Sequence, residues 1–541
     1  MLATIRHWFV DNFVELGREM RLSYLPPLMV YVAAGVSGLT GIVGTFFVKE
    51  YLGLSAAFLA ALGFWAGIPW ALKMPLGHLV DLIWRHKAGL VWLGAGLIAT
   101  SLLIMLGLVT EPLRMRAVMS IEAWFVLSAL LSPVGYVLQD VVADAMTVEA
   151  VPRVDEHGRP LPAATRRLMN TTLQTLGRVA IIGGGVLVSL VNVLMFAGVE
   201  SLPPNAKAAI YSEVYALALL IPVISVAGVL LAALLQRRER QRLRARGFAE
   251  ARLRELLEPP LEPVQPNWWI LGGSLVFVVI SLSVGLSQLP FGEEIVFLAS
   301  FAVIVFLMGR LLRELDGDSR RTLLGTAIVI FVFRAVPGPG AGSTWWMIDA
   351  LGFDQSFLAK LSLIASVLTL LGLFTFRRFM AARPIAYIAG FLTLAGTLLS
   401  LPTLGMYFGL HEWTAAHTGG IVDARFIALI DTALESPLGQ IAMVPMLAWI
   451  ANSAPANLKA TYFAVMASFT NLALSASQLG TRYLNQIFEV NREVRDPLTN
   501  ALTTPADYSQ LGSLFMVSIV LGLVLPFAAI WLTRTLKLRS A

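Results

Sequence analysis

Asp140 and Asp144 interrupt the apolar run LLSPVGYVLQDVVADAMTVEAVP (130–152), and Glu149 follows them. The two aspartates are four residues apart, so on a helix they share one face. Other apolar runs carry Lys73, Arg178, Arg334, Asp431 and Glu435. A charge at the centre of a membrane span costs roughly 2.5–3.5 kcal/mol on insertion scales, so it faces a cavity or a partner. The chemistry open to such a set is anion binding and proton carriage. Arginine and lysine hold carboxylates or phosphates through charge-assisted hydrogen bonds. A carboxylate takes a proton more readily in apolar surroundings and less readily beside a cation.

These properties divide the candidates. Lys73, Arg178 and Arg334 are expected to bind an anionic solute, with Gln174 and Gln440 as hydrogen-bonding companions. Glu435, Asp431 and Asp140 are the expected proton carriers. Asp81, closing GHLVD before RHK, is expected to act at a gate together with Asp144 and Glu149. By depth Asp140 can pair with Lys73 or Arg178, whereas Asp144 and Glu149 fall within reach of Arg166 and Arg167. Arg334 precedes VPGPGAG, where two prolines and three glycines must break the helix. Broken helices of this kind line transporter sites. Trp65 and Trp70 could stack on a flat ring; Trp345 and Trp346 read better as packing or interfacial anchors.

Other chemistries find no support. The chain has no cysteine, which excludes disulfides, zinc–thiolate sites and a thiol nucleophile. His411, His417 and Glu412 do not have convincing metal-ligand spacing. The glycines of RVAIIGGG lack the strand-to-helix setting of a phosphate loop, and close helix packing explains them. No nucleophile–base pair emerges, so neither enzyme activity nor a cofactor is expected.

The elements that must hold these charges are membrane helices. The chain has 541 residues, 57% hydrophobic and 14% charged, too greasy for a soluble protein of this length. Its apolar runs predict spans at roughly 27–48, 55–80, 88–109, 117–148, 168–196, 209–235, 268–289, 293–309, 322–348, 355–377, 384–409, 424–451, 459–487 and 511–535. The net charge of +6 does not indicate nucleic acid, because the basic residues sit in short connections. Their asymmetry places both termini in the cytoplasm by the positive-inside rule.

The halves repeat. TFFVKEYLGLSAAFLAAL (45–62) aligns without a gap on TWWMIDALGFDQSFLAKL (344–361), and SPVGYVLQDVVADAM (132–146) on SPLGQIAMVPMLAWI (436–450). A repeat with an even number of spans keeps its orientation. Two parallel six-helix bundles around a midplane site are the major facilitator architecture. The expected class is therefore an all-α polytopic membrane protein of major facilitator fold, with two inserted helices and about 14 spans. Its expected divisions are an interfacial amphipathic segment 1–26, a bundle 27–235, a basic loop 236–267, an inserted pair 268–321 and a second bundle 322–541.

Several stretches carry a family resemblance: FFVKEYLGLSAAFLAALGFWAGIPWALKMPLGHLVD, LQDVVADAMTVEAVPR, NTTLQTLGR, VPGPGAGSTWWMIDALGF and LGQIAMVPMLAWIANSAPANLKATYFAVMASFTNLA. The chain resembles the folate–biopterin transporter family of the major facilitators. The resemblance implies uptake of folates or pterins coupled to protons. KMPLG stands where the family has Lys-Pro-Leu-Tyr-Gly, so Lys73 is kept and the adjacent proline is not. Arg178 is more like muropeptide permeases and acetyl-CoA transporters, related facilitators.

The expected function is secondary transport of a small anionic organic solute by alternating access. The alternatives are a muropeptide- or acetyl-CoA-type facilitator, or a non-transporting receptor or assembly factor that docks partners through the basic loop and inserted helices. The expected setting is a bacterial inner membrane. The expected partners are solute and lipid, without nucleic acid, around a monomer.

Overall fold

The computed structural model describes residues 17, 19–71, 73–152, 159, 161–249, 253, 266–287, 289–313, 316–376, 379–380, 383–439, 441, 459–495 and 502–540. The first half begins with α1 (Leu25–Gly35) and α2 (Gly41–Tyr51), joined by a 3₁₀ turn at Val36–Thr40 into one span. The second span is α3 (Ala56–Ala71) with α4 (Lys73–Leu82), and the third is α5 (Ala88–Thr110). After the short α6 (Pro112–Val118) come α7 (Ile121–Ala150) and α8 (Ala163–Met195). The sixth span joins α9 (Pro204–Ala218) to α10 (Leu220–Ala245).

An apolar hairpin follows, α11 (Trp268–Ser287) and α12 (Gly292–Leu312). The second half opens with α13 (Gly317–Arg334) and α14 (Ala341–Asp349), then α15 (Gln355–Thr375) and α16 (Ile385–Tyr407). The short α17 (Leu410–His417) leads to α18 (Ala424–Glu435); α19 (Lys459–Ile487) and α20 (Leu511–Thr535) complete the chain. Between these last two lies a small antiparallel pair, β1 (Val494–Arg495) and β2 (Leu502–Thr504), the one strand pairing among the described residues.

Local chemistry sets several helix starts. The side chains of Ser120, Asp354 and Asp423 accept backbone N–H groups at the heads of α7, α15 and α18. Such caps satisfy donors that the first helical turn leaves free. Among the described residues, eleven helices are long and apolar enough to cross a membrane. Three of the fourteen expected spans fall outside that count. α13 and α14 are divided by the Pro-Gly break, α19 is rich in polar residues, and α18 begins a span whose remainder lies outside the described residues.

Two packing relations define the architecture. α3 lies along α19, and α8 lies along α15. The second span of each half thus meets the fifth span of the other, as a two-fold axis along the membrane normal requires. Within the first half, α1 and α8 cross at glycines. A Cβ on Gly35 would stand 2.3 Å from the carbonyl oxygen of Ile181, and one on Gly184 would stand 2.8 Å from Gly35 Cα. Of the glycines of the RVAIIGGG run, Gly184 therefore serves backbone approach. The inserted hairpin packs on α19, α4 and α3.

The expected basic loop begins as helix, because α10 continues without interruption through RRERQRLRA to Ala245. Most of the expected interfacial segment lies outside the described residues, and α1 starts at Leu25.

Candidate functional site

The charged residues of the second and fourth spans meet in the first half. Lys73 opens α4, just past the end of α3, and its Nζ lies 2.6 Å from Asp140 Oδ2 and 2.8 Å from Asp144 Oδ2. The helical spacing of four turns both carboxylates to the same cation. Tyr31 of α1 donates its hydroxyl to Asp144 Oδ1 at 2.7 Å. Its ring rests against Gly177, where any Cβ would lie 2.9 Å from Tyr31 Cε2. Arg178, next along α8, is close enough for its charge to act on both Asp140 and Tyr31. Asp144 is the accessible member of the group, with 41% of its side chain exposed against 17% for Asp140. With Arg178 the cluster holds two cations and two anions, so it is balanced in charge.

The side chains of Arg166 and Arg167, the partners expected for Asp144 and Glu149, lie outside the described residues. Asp144 turns inward to Lys73 and Tyr31. Glu149 pairs with Lys87 at 2.7 Å, and Lys87 also sits over the Trp84 ring. The α4–α5 turn brings Lys87 beside the end of α7. This pair ties α7 to the preceding turn inside one half.

In the second half Arg334 ends α13 immediately before the break. The broken segment is held by one face of α19 at four-residue spacing. Ser477 donates to the Val336 carbonyl at 2.7 Å, Thr481 accepts from Gly338 N–H at 3.0 Å, and Asn485 donates to the Pro339 carbonyl at 3.2 Å. Gly340, at φ +75°, makes the turn into α14. Arg334 Nε is buried without a hydrogen-bond partner among the described residues. Asp431 Oδ1 is likewise buried and unpartnered, while Glu435, one turn further on, is exposed. Among the described residues Arg178, Arg334, Asp431 and Glu435 form no ion pair with one another. Gln440 lies outside the described residues, as do the side chains of Gln174 and Asp81.

Across the halves, on the face opposite the chain ends, the structure adds a contact that the sequence reading did not foresee. Lys49 Nζ meets Asp349 Oδ1 at 2.5 Å, and Tyr508 donates to Asp349 Oδ2. Arg492, 2% exposed, donates to the carbonyls of Lys49 and Leu54 at 2.8 Å each and lies 4.4 Å from the Trp345 ring centre. Burial lowers its pKa to about 10. Beneath it, Trp345 and Ala359 share one apolar cluster with Phe47, Leu52 and Ala56 of the first half. That face is closed by residues of both halves. Trp345 is thus a packing residue, and Trp65 donates to Glu293 of the inserted pair at 3.3 Å.

Paired six-helix bundles joined through their second and fifth spans, with charges set into those spans, define a membrane transporter of the major facilitator type. Solved structures agree on the fold. A POT family transporter in complex with 5-aminolevulinic acid has a TM-score of 0.58 at 11% identity, covering 95% of this chain and 96% of that one. A mutant form of the nucleoside transporter NupG gives 0.52 at 12% identity, over 94% and 99% of the two chains. The chain belongs to the BT1 family, whose sequence profile matches residues 34–537. A folate-biopterin transporter of Synechocystis sp. is 23% identical to it over 468 residues, 86% of this chain and 75% of that protein. The chain is therefore a multi-pass membrane transporter, not an enzyme.

Proposed function

We propose that this transporter moves a small anionic solute of the folate or pterin class by alternating access, in symport with protons. One observation carries the reading: Arg178 and Arg334, one from each half, stand within the spans without an ion pair to any described residue. A solute with two carboxylates fits two such guanidinium groups, because Arg–carboxylate pairing is strong and directional. The family relative named for folate and biopterin agrees with that chemistry.

In this reading Lys73 completes the anion site, with Gln174 and Gln440 as hydrogen-bonding neighbours. Asp140, Asp431 and Glu435 take up the coupling proton; Asp81, Asp144 and Glu149 work at the gate on the face of the chain ends, which is cytoplasmic. A solute carboxylate that takes Lys73 from Asp140 leaves that acid without its cation, and loss of the cation favours protonation. The bundles 27–235 and 322–541 are the moving bodies.

The deciding experiment is thermal stability of the purified protein with folate, a pterin, a muropeptide fragment or acetyl-CoA. A ligand at about 100 times its dissociation constant stabilises the fold by about 2.7 kcal/mol. A shift with folate or pterin that disappears in Arg178→Ala and Arg334→Ala is the expected result. A shift with another anion alone overturns the substrate class. For coupling, Glu435→Gln is expected to abolish gradient-driven uptake while exchange continues; loss of both in a folded protein overturns that role.

A further inference from the structure

A cavity of about 610 Å³ lies between α3, α7, the inserted hairpin and α19. That volume falls among small-molecule sites, which run to roughly 300–1,000 Å³. Its body is apolar, lined by Phe58, Leu62 and Trp65 of α3, Leu130 of α7 and Leu282 of α11. Phe58 is 43% exposed and Leu282 60%, so in a membrane its mouth opens on the lipid.

One end of the cavity is polar. Arg482 Nη1 lies 2.9 Å from Glu293 and 3.5 Å from Glu294, Trp65 donates to Glu293, and Tyr483 donates to Glu294. Two carboxylates against one guanidinium leave a net negative charge. Oε2 of Glu294 is buried and has no hydrogen-bond partner among the described residues. The cavity wall also carries Ser281, only 8% exposed, whose hydroxyl has no partner among them either. Buried polar atoms are paired in the great majority of cases. Of the two unpaired here, Ser281 stands in the cavity wall, whereas Glu294 lies behind the lining residues Glu293 and Arg482 and adds its charge to that end.

We infer that this cavity holds a phospholipid with an amine headgroup. The acyl chain lies along Phe58, Leu62 and Leu282, the ammonium pairs with Glu293 at the polar end, where Glu294 supplies the excess negative charge, and the Ser281 hydroxyl donates to an ester carbonyl. An anionic headgroup would meet the excess negative charge instead. The inserted hairpin thereby gains a function, as one wall and the polar end of a lipid site. This inference is independent of the identity of the transported solute.

Its test uses the full-length protein in nanodiscs containing phosphatidylethanolamine with a photoactivatable acyl chain, compared with phosphatidylglycerol carrying the same chain. The peptides holding Phe58–Trp65 and Ser281–Gly285 should be labelled about tenfold more by the amine lipid, a difference of about 1.4 kcal/mol. Unlabelled phosphatidylethanolamine should compete in the unaltered protein, and Glu294→Gln should bring the two lipids level. Equal labelling by both lipids in the unaltered protein overturns the inference. So does labelling no stronger than at the lipid-exposed stretch Leu394–Leu401 of α16, the mark of bulk lipid.

Discussion

Lys49 and Asp349 form a 2.5 Å ion pair between the two halves, although the internal repeat places Asp349 on Glu50 and not on Lys49. The pair therefore joins a residue to the counterpart of its neighbour. Perfect symmetry would set Glu50 against Asp349, acid against acid. The offset of one residue turns that repulsion into an attraction, and Tyr508 and Arg492 complete the closure around it.

Loss of this pair is expected to loosen the closed face. The chain has no cysteine, so Ala359→Cys provides a single reporter at a position that is 0% exposed within the shared cluster. A thiol reagent added on that face should react slowly with the reporter alone and much faster when Asp349→Ala is added. The exchange Lys49→Asp with Asp349→Lys should restore slow reaction. Unchanged labelling in Asp349→Ala would remove the pair from the closure.

Lys73 neutralises two acids at once, so its removal should be costly. Removing one partner of a buried ion pair costs about 3–5 kcal/mol, because the other charge is left uncompensated. Lys73→Met is expected to lower the melting temperature clearly, and adding Asp140→Asn should recover part of the loss. Simple additivity of the two substitutions would show that the residues do not act together.

The glycines of α8 should differ sharply from one another. Gly184→Ala places a Cβ against the backbone of Gly35 and is expected to cost about 1–3 kcal/mol. A Cβ on Gly183 would meet nothing within 4 Å, so Gly183→Ala should be neutral or gain up to about 1 kcal/mol in helix propensity. Melting curves of both variants in one detergent decide it; equal effects would argue against the close crossing.

Tyr508 lies in the connection between α19 and α20 and gives the closed face a pH response. Burial, then the hydrogen bond and charge of Asp349, raise its phenol well above the usual value. Below about pH 10 both folded and unfolded chains keep the proton, and the contribution to stability is complete. Above it the unfolded chain releases the proton first, so stability falls as pH rises. Melting temperatures from about pH 9 to about pH 11 should fall less steeply in Tyr508→Phe than in the unaltered protein.

Much of this architecture was legible in the sequence because membrane helices announce themselves locally. Apolar length marked the spans, and the match of 45–62 with 344–361 disclosed the parallel halves. The spacing of Asp140 and Asp144, with depth, was enough to suggest Lys73 as a partner for Asp140. What escaped depended on the third dimension. Tyr31 reaches Asp144 across 113 residues of chain, and Arg492 reaches Lys49 across 443, distances over which no local pattern operates. Position along the chain pointed Asp144 and Glu149 towards Arg166 and Arg167, whose side chains lie outside the described residues; the packed helices bring them Lys73 and Lys87. The indole N–H of Trp65 also finds Glu293, 228 residues away.

Glu293 accepts from Trp65 of the first half at 3.3 Å and from Arg482 of the second at 2.9 Å. A single carboxylate on the inserted hairpin thus works as a shared tether between two bodies. If the halves rock, their excursion at this edge is limited by how far one side chain can stretch before a contact parts. Any larger excursion must break the Trp65 or the Arg482 contact, which sets a mechanical stop at the hairpin's tip.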